Sequence, residues 1–161
     1  MYEPEEIYKK ALIKKSENQL FFRKLSRMDL RKLDGLVHSM HDEVFEEINC
    51  LECANCCRSL GPRITEADVS RISAAMKIKP VQFVSDQLHR DEDGNLVFNS
   101  MPCPFLDSEN YCKIYNNHPK ACRDYPHTNR RRFYQLIDLT IKNSFICPAV
   151  FEIIERLKEK I

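Results

Sequence analysis

Eight cysteines carry the chemistry that this sequence can perform. Four lie within eight residues and four follow at wide intervals: Cys50, Cys53, Cys56 and Cys57, then Cys103, Cys112, Cys122 and Cys147. The C-x-x-C spacing occurs twice in succession and shares Cys53. Two thiolates three residues apart on a turn can bind one metal ion, while the backbone N–H groups between them donate hydrogen bonds to the sulfurs. The spacing therefore predicts that the cysteines bind metal.

Packing in an apolar core and disulfide bonding explain these cysteines less well than metal binding does. A single cysteine is usually a small buried apolar residue, but four thiols crowded into one short segment have no such packing role. Cys56 and Cys57 are chain neighbours and cannot pair without a strained ring. The first ten residues, MYEPEEIYKK, contain three glutamates and no apolar stretch. We therefore expect no secretory leader and a cytoplasmic protein, in which disulfides are rare.

The spacing leaves the identity of the metal open. Eight thiolates could fill two zinc sites of four cysteines each, or bind an iron–sulfur cluster with or without a second site. The run C-x2-C-x2-C opens like the bacterial ferredoxin pattern, but Cys57 follows Cys56 directly, where that pattern needs three intervening residues. The spacing also differs from the C-x3-C-x2-C run of radical enzymes that use S-adenosylmethionine. All eight cysteines are thus predicted ligands of zinc or of an iron–sulfur cluster.

Four histidines are further candidates for a role at the metal site. His38 and His41 lie three residues apart on a predicted helix, and without a carboxylate pattern such as H-E-x-x-H we expect them to face solvent. His118 and His127 flank the third of the distant cysteines, so they are candidates for hydrogen-bond donors or a replacement ligand.

Two side chains next to Cys122 are also candidates. Arg123 could orient a sulfur by hydrogen bonding, or it could form a surface ion pair with Asp124 or Asp107. Tyr125 lies three residues after Cys122, within reach of the same neighbourhood. The sequence does not choose between these roles.

Composition and motif content argue against a membrane protein, a nucleic-acid-binding protein and several classes of enzyme. Charged residues make up 30% of the chain and no apolar run approaches 18 residues, so we expect no membrane span. The net charge is +1, and the one basic run, Arg130–Arg132, is expected to be a solvated face rather than a nucleic-acid surface. We find no phosphate-binding loop, nucleophile elbow or paired carboxylates, and the chain has only three glycines. A protein partner stays open.

The elements that must position the cysteines are predicted to be mainly α-helical. We expect a single domain over 1–161, with about five helices, a loop-rich cysteine-bearing lobe and at most a short hairpin. Apolar residues at intervals of three and four from Leu30 to Ile48 indicate N-terminal helices within 1–48, with Ser26 and Asp29 as a capping signal. Pro148 at a permissive first position predicts a C-terminal helix over 148–161.

The cysteine-cluster region, 48–150, reads as short elements and loops. Thr65 followed three residues later by Asp68 predicts the N-cap of a helix, and Pro80 opens another. Asp93-Gly94 predicts a turn before a short strand at Leu96–Phe98. From 100 to 126, prolines and cysteines alternate too often for long regular elements. We expect metal binding to offset the entropy cost of ordering this stretch.

An ordered set of motifs resembles a known family. These motifs are Cys50 to Cys57, Cys103-Pro104-Phe105-Leu106, Cys112-Lys113-Ile114-Tyr115, Pro119, Cys122-Arg123-Asp124-Tyr125-Pro126 and Cys147-Pro148. Together they resemble the YkgJ-type cysteine-cluster family of zinc- or iron-chelating domains, over residues 48–150. Thr65-Glu66-Ala67-Asp68 stands where that family has an acidic-capped helix. The family usually has Arg before the proline that precedes the third distant cysteine, whereas this chain has His118-Pro119.

The resemblance implies a bound metal or cluster with all eight cysteines as candidate ligands, and it implies no known reaction. The same cysteine pattern resembles a region of bacterial flagellin lysine methylases. Three classes of function therefore stay open: a structural zinc interaction module, an electron carrier or redox enzyme with an iron–sulfur cluster, and a group-transfer enzyme. Our hypothesis is that the clustered cysteines supply ligands and the distant ones close the site or sites.

Overall fold

The computed structural model describes residues 3–161, and within them the protein is mainly α-helical. The nine α-helices are α1 Pro4–Leu25, α2 Leu30–Glu47, α3 Cys50–Cys53, α4 Asn55–Ser59, α5 Glu66–Ala75, α6 Pro80–Gln87, α7 Lys120–Asp124, α8 Ile137–Asn143 and α9 Pro148–Lys160. Two antiparallel strands, β1 Leu88–Arg90 and β2 Leu96–Phe98, form a hairpin, and 3₁₀ turns occupy Tyr115–Asn117 and Phe133–Leu136. The predicted fold class is confirmed.

Four of these helices were not predicted from the sequence: α3, α4, α7 and α8 contain four, five, five and seven residues. Helices this short are unstable in isolation, because the free-energy cost of nucleating a helix exceeds the stabilisation from one turn of hydrogen bonds. They therefore depend on tertiary contacts, which periodicity in the sequence does not reveal.

The chain separates into two compact units. Unit 1 contains the residues up to Asn55 together with Pro126–Ile161, and unit 2 contains Cys56–Tyr125. The expectation of a single domain over the whole chain stays a prediction. Among residues 3–161, every helix is too short or too polar to cross a lipid bilayer.

Unit 1 is built from α1, α2, α8 and α9 around an apolar core. The buried residues of α2 and α9 recur at helical spacing: Leu33, Val37, Met40 and Val44 in α2, and Val150, Ile153, Ile154 and Leu157 in α9. Asp29 caps α2 by accepting from the backbone N–H groups of Arg31 at 3.1 Å and Lys32 at 2.9 Å. Ser26 instead donates to the Arg23 carbonyl at the end of α1. The predicted pairing of Ser26 with Asp29 as one cap is therefore corrected.

The two helical histidines hold a loop of unit 1. His38 Nε2 donates to the Arg130 carbonyl at 2.9 Å, and His41 Nδ1 lies 2.8 Å from the Thr128 hydroxyl oxygen. Both histidines are half-buried. The expectation that they face solvent is wrong, because their contacts come from residues about 90 positions away in sequence.

Unit 2 has its own small core beneath the hairpin. Its buried residues come from α5, α6, both strands and two loops: Ile64, Val69, Ile72, Phe83, Leu88, Phe98 and Phe105. The predicted cap of α5 is present, since Thr65 and Asp68 bond each other reciprocally. The stretch from 100 to 119 contains no α-helix or strand, as predicted, and α7 is a single short helix beyond it.

Candidate metal centre

All eight cysteines have free thiols, and the two units divide them unequally. We call Cys50, Cys53 and Cys147 the unit-1 thiol group, because all three belong to unit 1. We call Cys57, Cys103, Cys112 and Cys122 the unit-2 thiol group. Cys56 also belongs to unit 2, and its sulfur lies 4.0 Å from that of Cys57.

The unit-1 thiol group is assembled by α3 and the start of α9. Asn49 caps α3 by accepting from the Leu51 N–H at 3.0 Å, and the cap places Cys50 and Cys53 one turn apart on the same face. Cys147 immediately precedes α9. The buried Asn55 donates its side-chain amide to the Ile146 carbonyl at 3.3 Å. That bond ties the chain two residues after Cys53 to the residue before Cys147.

Electrostatics indicates that these three thiols are neighbours. Burial raises the pKa of Cys147 to about 12, the N–H groups of Val150 and Ala149 offset part of the rise, and the thiols of Cys50 and Cys53 add to it. Cys147 is 8% exposed. A neutral thiol is therefore favoured at this position, and coordination of a metal would have to release its proton.

The unit-2 thiol group is brought together by backbone hydrogen bonds between separate segments. The Cys103 N–H donates to the Cys57 carbonyl at 2.8 Å. Leu106 and Cys112 form an isolated antiparallel bridge, beside which the Lys113 N–H donates to the Phe105 carbonyl at 2.8 Å. Three of the four cysteines are thus tied to one another through the main chain.

The fourth member, Cys122, lies on α7, and the other three thiols affect its pKa. Burial of its sulfur raises the pKa of Cys122 to about 12, although the residue as a whole is exposed, and the thiols of Cys57, Cys103 and Cys112 raise it further. The pKa of Cys103 is raised to about 11, first by burial and then by Cys57 and Cys112. The four sulfurs therefore share one neighbourhood.

Cys57 differs from the other members of its group. A hydrogen bond with the Cys56 thiol lowers the pKa of Cys57 to about 7, against the opposing effect of burial and with help from the charge of Arg58. Cys57 is therefore the member that ionises most easily near neutral pH. Cys56 stays a predicted ligand that we assign to neither thiol group.

Asp68 clamps α5 to the segment that carries Cys122. It is fully buried, and it accepts from the Thr65 N–H at 2.9 Å, the Thr65 hydroxyl at 2.7 Å, Arg71 at 2.6 Å and the Lys120 N–H at 3.0 Å. Burial would raise the pKa of Asp68, but these donors together hold it at about 2. Lys120 begins α7, two residues before Cys122. The carboxylate therefore positions the helix that bears this thiol.

A second contact fixes the loop between Cys103 and Cys112. Asp107 accepts from the N–H groups of Glu109 at 2.9 Å and Tyr111 at 2.8 Å, which closes a tight turn. Arg58, directly after Cys57, donates to the Asn110 side chain of that turn at 2.7 Å. The roles of Arg58 and Asn110 were not predicted from the sequence. The run Asp-Ser-Glu-Asn between two cysteines was the available signal, because these residue types form turns.

The remaining candidates lie in different surroundings. His118 donates from Nδ1 to the Tyr115 carbonyl within its own turn, and its ring centroid lies 5.0 Å from that of Tyr115. Its carbonyl accepts from Arg71 at 2.9 Å, so the backbone at this position belongs to the Asp68 clamp. His127 lies in unit 1 with a left-handed backbone at φ 70°. Arg123 is exposed, and Asp124 forms an ion pair with Lys120.

The thiols are neighbours rather than a formed metal site. Within the described part of the chain, no three His, Cys, Asp or Glu side chains are arranged to hold a metal ion. Binding would therefore require the sulfurs of a group to converge by movement of their side chains. The donor set fits, because thiolates are the soft ligands that Zn²⁺ and iron–sulfur clusters select and four of them complete a tetrahedral shell.

Phe105 is the apolar anchor of the unit-2 thiol group. It is 7% exposed, and its ring centroid lies 5.4 Å from that of Phe98 and 6.3 Å from that of Phe83. Replacing Phe105 by Ala should lower the free energy of unfolding by ~3–5 kcal/mol, because a large buried ring is lost from a close-packed core. Urea unfolding followed by circular dichroism measures this change.

The same substitution should lower the metal content, since the Phe105 ring packs in the unit-2 core against which Cys103 also packs, two residues earlier in the same loop. Tyr111→Ala is the matched control, because Tyr111 lies in the same loop and is 48% exposed. Equal stability of the two variants would contradict the anchoring role of Phe105.

Comparison with known families agrees with the cysteine content of the chain. Residues 49–143 match the model of the CxxCxxCC family, described as "Putative zinc- or iron-chelating domain". The match covers more than half of the chain and includes seven of the eight cysteines, all except Cys147. No curated protein and no solved structure gives a significant match. The YkgJ-type resemblance is consistent with this family, and the chain therefore belongs to the CxxCxxCC family of zinc- or iron-chelating domains.

Proposed function

We propose that this protein holds a metal centre in unit 2 through the thiolates of Cys57, Cys103, Cys112 and Cys122. The observation that carries the proposal is the shared neighbourhood of these four thiols, which come from segments far apart in sequence. Four thiolates complete a closed tetrahedral shell, and a closed shell is the arrangement of structural metal sites.

The proposed role of the metal is structural. The stretch from 100 to 119 lacks α-helices and strands. Phe105 is its buried member of the unit-2 core, and Cys103 and Ile114 pack against that core partly buried. Ordering a stretch of this length costs conformational entropy that so few apolar contacts do not offset. A metal bound to Cys103, Cys112 and Cys122 would cross-link the loop and α7 to Cys57, so that metal binding contributes directly to folding.

Zn²⁺ is our first choice for this centre, since a structural role requires a closed four-coordinate ion without redox chemistry. An iron–sulfur cluster is the second candidate. It is favoured by the backbone N–H groups that lie near the sulfurs, those of Phe105 and Leu106 near Cys103 and that of Ile114 near Cys112. Hydrogen bonds to sulfur tune the potential of such clusters.

Elemental analysis of protein purified without oxygen tests the choice between the two. We expect colourless protein that contains zinc and no inorganic sulfide. Brown protein with iron, acid-labile sulfide and broad visible absorption would replace zinc by the cluster and would leave the four-thiolate assignment standing. Protein that binds neither zinc nor iron under any of these conditions would contradict the proposed function.

The unit-1 thiol group is proposed as a second ligand group. It offers three thiols, and Cys50 is exposed while Cys53 and Cys147 are buried. A group with fewer than four protein thiolates would leave a coordination position for another ligand, the arrangement in which metal sites perform chemistry. An enzymatic role, if the protein has one, is therefore proposed to belong to unit 1.

A further inference from the structure

Unit 1 contains an open groove of about 860 Å³ between α1 and the chain from Tyr134 to Phe145. One wall is a single face of α1, because the lining residues from Lys15 to Ser26 recur at helical spacing. Tyr8 contacts Phe145 at 5.5 Å between ring centroids. Phe22 contacts Phe133 at 6.2 Å, so the two walls run antiparallel.

Positive charge is distributed along this groove. Lys15, Arg23 and Lys142 line it, against the single acid Asp138. All three cations are exposed, and within residues 3–161 none of them forms an ion pair. Their neighbour Lys14, in contrast, pairs with Glu17 and Glu155. The groove therefore presents net positive charge, with three cations against the one lining acid.

The positions of the cations suit a ligand with two chemically different ends. Lys15 and Arg23 are separated by eight residues of α1, which corresponds to about 12 Å along the helix axis. The antiparallel walls place Arg23 at the end near Tyr134, and Lys142 towards the other end. Lys15 and Lys142 thus form a cationic end away from Tyr134, whereas the Tyr134 end combines the aromatic ring with Arg23.

The aromatic end offers a flat surface. Tyr134 is 37% exposed, and Gln135 Nε2 donates to its hydroxyl at 3.1 Å, which orients the phenol ring. Phe22 lines the same groove as a buried apolar floor. A planar ring can stack on an exposed aromatic face, and the volume of the groove lies within the range of small-ligand sites.

We propose that this groove binds a nucleotide, with its base stacked on Tyr134 and its phosphates against Lys15 and Lys142. Side-chain ammonium groups supply the charge here, so the site needs no glycine-rich phosphate loop. A carboxylate-rich peptide would satisfy the cations but would leave the oriented ring of Tyr134 without a role. The observations therefore favour a nucleotide over an acidic peptide as the occupant.

Isothermal titration of the 161-residue protein, as purified, with ATP tests the proposal. We expect ATP to bind at least about tenfold more tightly than adenosine or inorganic tripolyphosphate, because each of these retains only one of the two contacts. Tyr134→Ala should weaken ATP binding about tenfold, and Lys15→Glu combined with Lys142→Glu by about tenfold or more.

Two matched variants control for general effects of charge and ring loss. Lys9→Glu changes the same charge on another face of α1, and Tyr111→Ala removes an exposed ring from unit 2. Both should bind ATP like the unaltered protein, and circular dichroism should show that every variant is folded. The proposal is overturned if ATP does not bind, if tripolyphosphate binds as tightly as ATP, or if the groove variants bind ATP normally. It is equally overturned if a polyglutamate peptide binds and ATP does not displace it.

Discussion

Replacing Cys103 by Ser should remove the metal that we propose for unit 2 and leave any metal of unit 1 in place. Replacing Cys147 by Ser should have the opposite effect, since the two residues belong to different thiol groups. A serine hydroxyl is a much poorer ligand than a thiolate, and the free energy of structural zinc binding is on the order of 10 kcal/mol in small zinc domains. The Cys103→Ser variant should therefore lose much of its resistance to unfolding as well.

Metal stoichiometry by elemental analysis and thermal unfolding of the same samples measure both effects. Ser108→Ala is the control for the cysteine-bearing loop, because Ser108 is an exposed residue between Cys103 and Cys112. The variants should lose different fractions of the bound metal. Loss of all metal from either variant alone would show that the thiols act as one joint centre and would refute the division into two groups.

Replacing Asp68 by Asn should produce the second large effect, although Asp68 is not a predicted ligand. An amide retains one acceptor oxygen, but its NH₂ group would face one of the donors that the carboxylate now satisfies. An unsatisfied buried donor costs ~1–3 kcal/mol, and the lost charge adds to that cost. We expect the free energy of unfolding to fall by about 3 kcal/mol and the metal content of unit 2 to fall with it.

Glu66→Gln is the matched control, since Glu66 is an exposed acid in the first turn of the same helix. Metal retained by the Cys147 group in the Asp68→Asn variant would show that the effect is local to unit 2. Full stability and full metal content after Asp68→Asn would show that the clamp does not position α7.

The contribution of Asp68 should also depend on pH. The pKa of this group is about 2 in the folded protein, below the ~3.9 of an unfolded aspartate. Because its pKa is lowered on folding, the ionised Asp68 carboxylate stabilises the fold above about pH 4. This stabilisation is lost as the carboxylate becomes protonated, when the pH falls towards 2. The difference between these two pKa values corresponds to about 3 kcal/mol. The stability difference between the unaltered protein and Asp68→Asn should therefore shrink over this interval, as urea unfolding at each pH would reveal.

The helices that could be predicted from the sequence are those whose signal is local. The apolar residues of α2 and α9 recur at helical intervals, and the cap at Thr65 and the proline at Pro148 act on their own turns. The hairpin turn at Asp93-Gly94 is local in the same sense. The short helices α3, α4, α7 and α8 carry too few residues to show a period, so they could not be predicted in this way.

Contacts between residues far apart in sequence could not be predicted, for the same physical reason. Asp68 was recognised as a capping residue, but its bond to the Lys120 N–H joins positions 52 residues apart. His38 and His41 were expected to face solvent, and they hold a loop about 90 residues away in sequence. A sequence pattern shows the periodicity of one segment, and it does not show which other segment packs against it.

The sequence by itself determined the kind of chemistry: eight thiols, crowded spacing between Cys50 and Cys57, and a family of zinc- or iron-chelating domains. Only the tertiary structure decided which thiols are neighbours. It groups Cys57 with Cys103, Cys112 and Cys122, and it places Cys147 with Cys50 and Cys53. The physical reason is that a metal selects donor atoms by their chemical type, and the sequence states that type directly. The proximity of those atoms depends instead on long-range backbone contacts, such as that between Cys57 and Cys103.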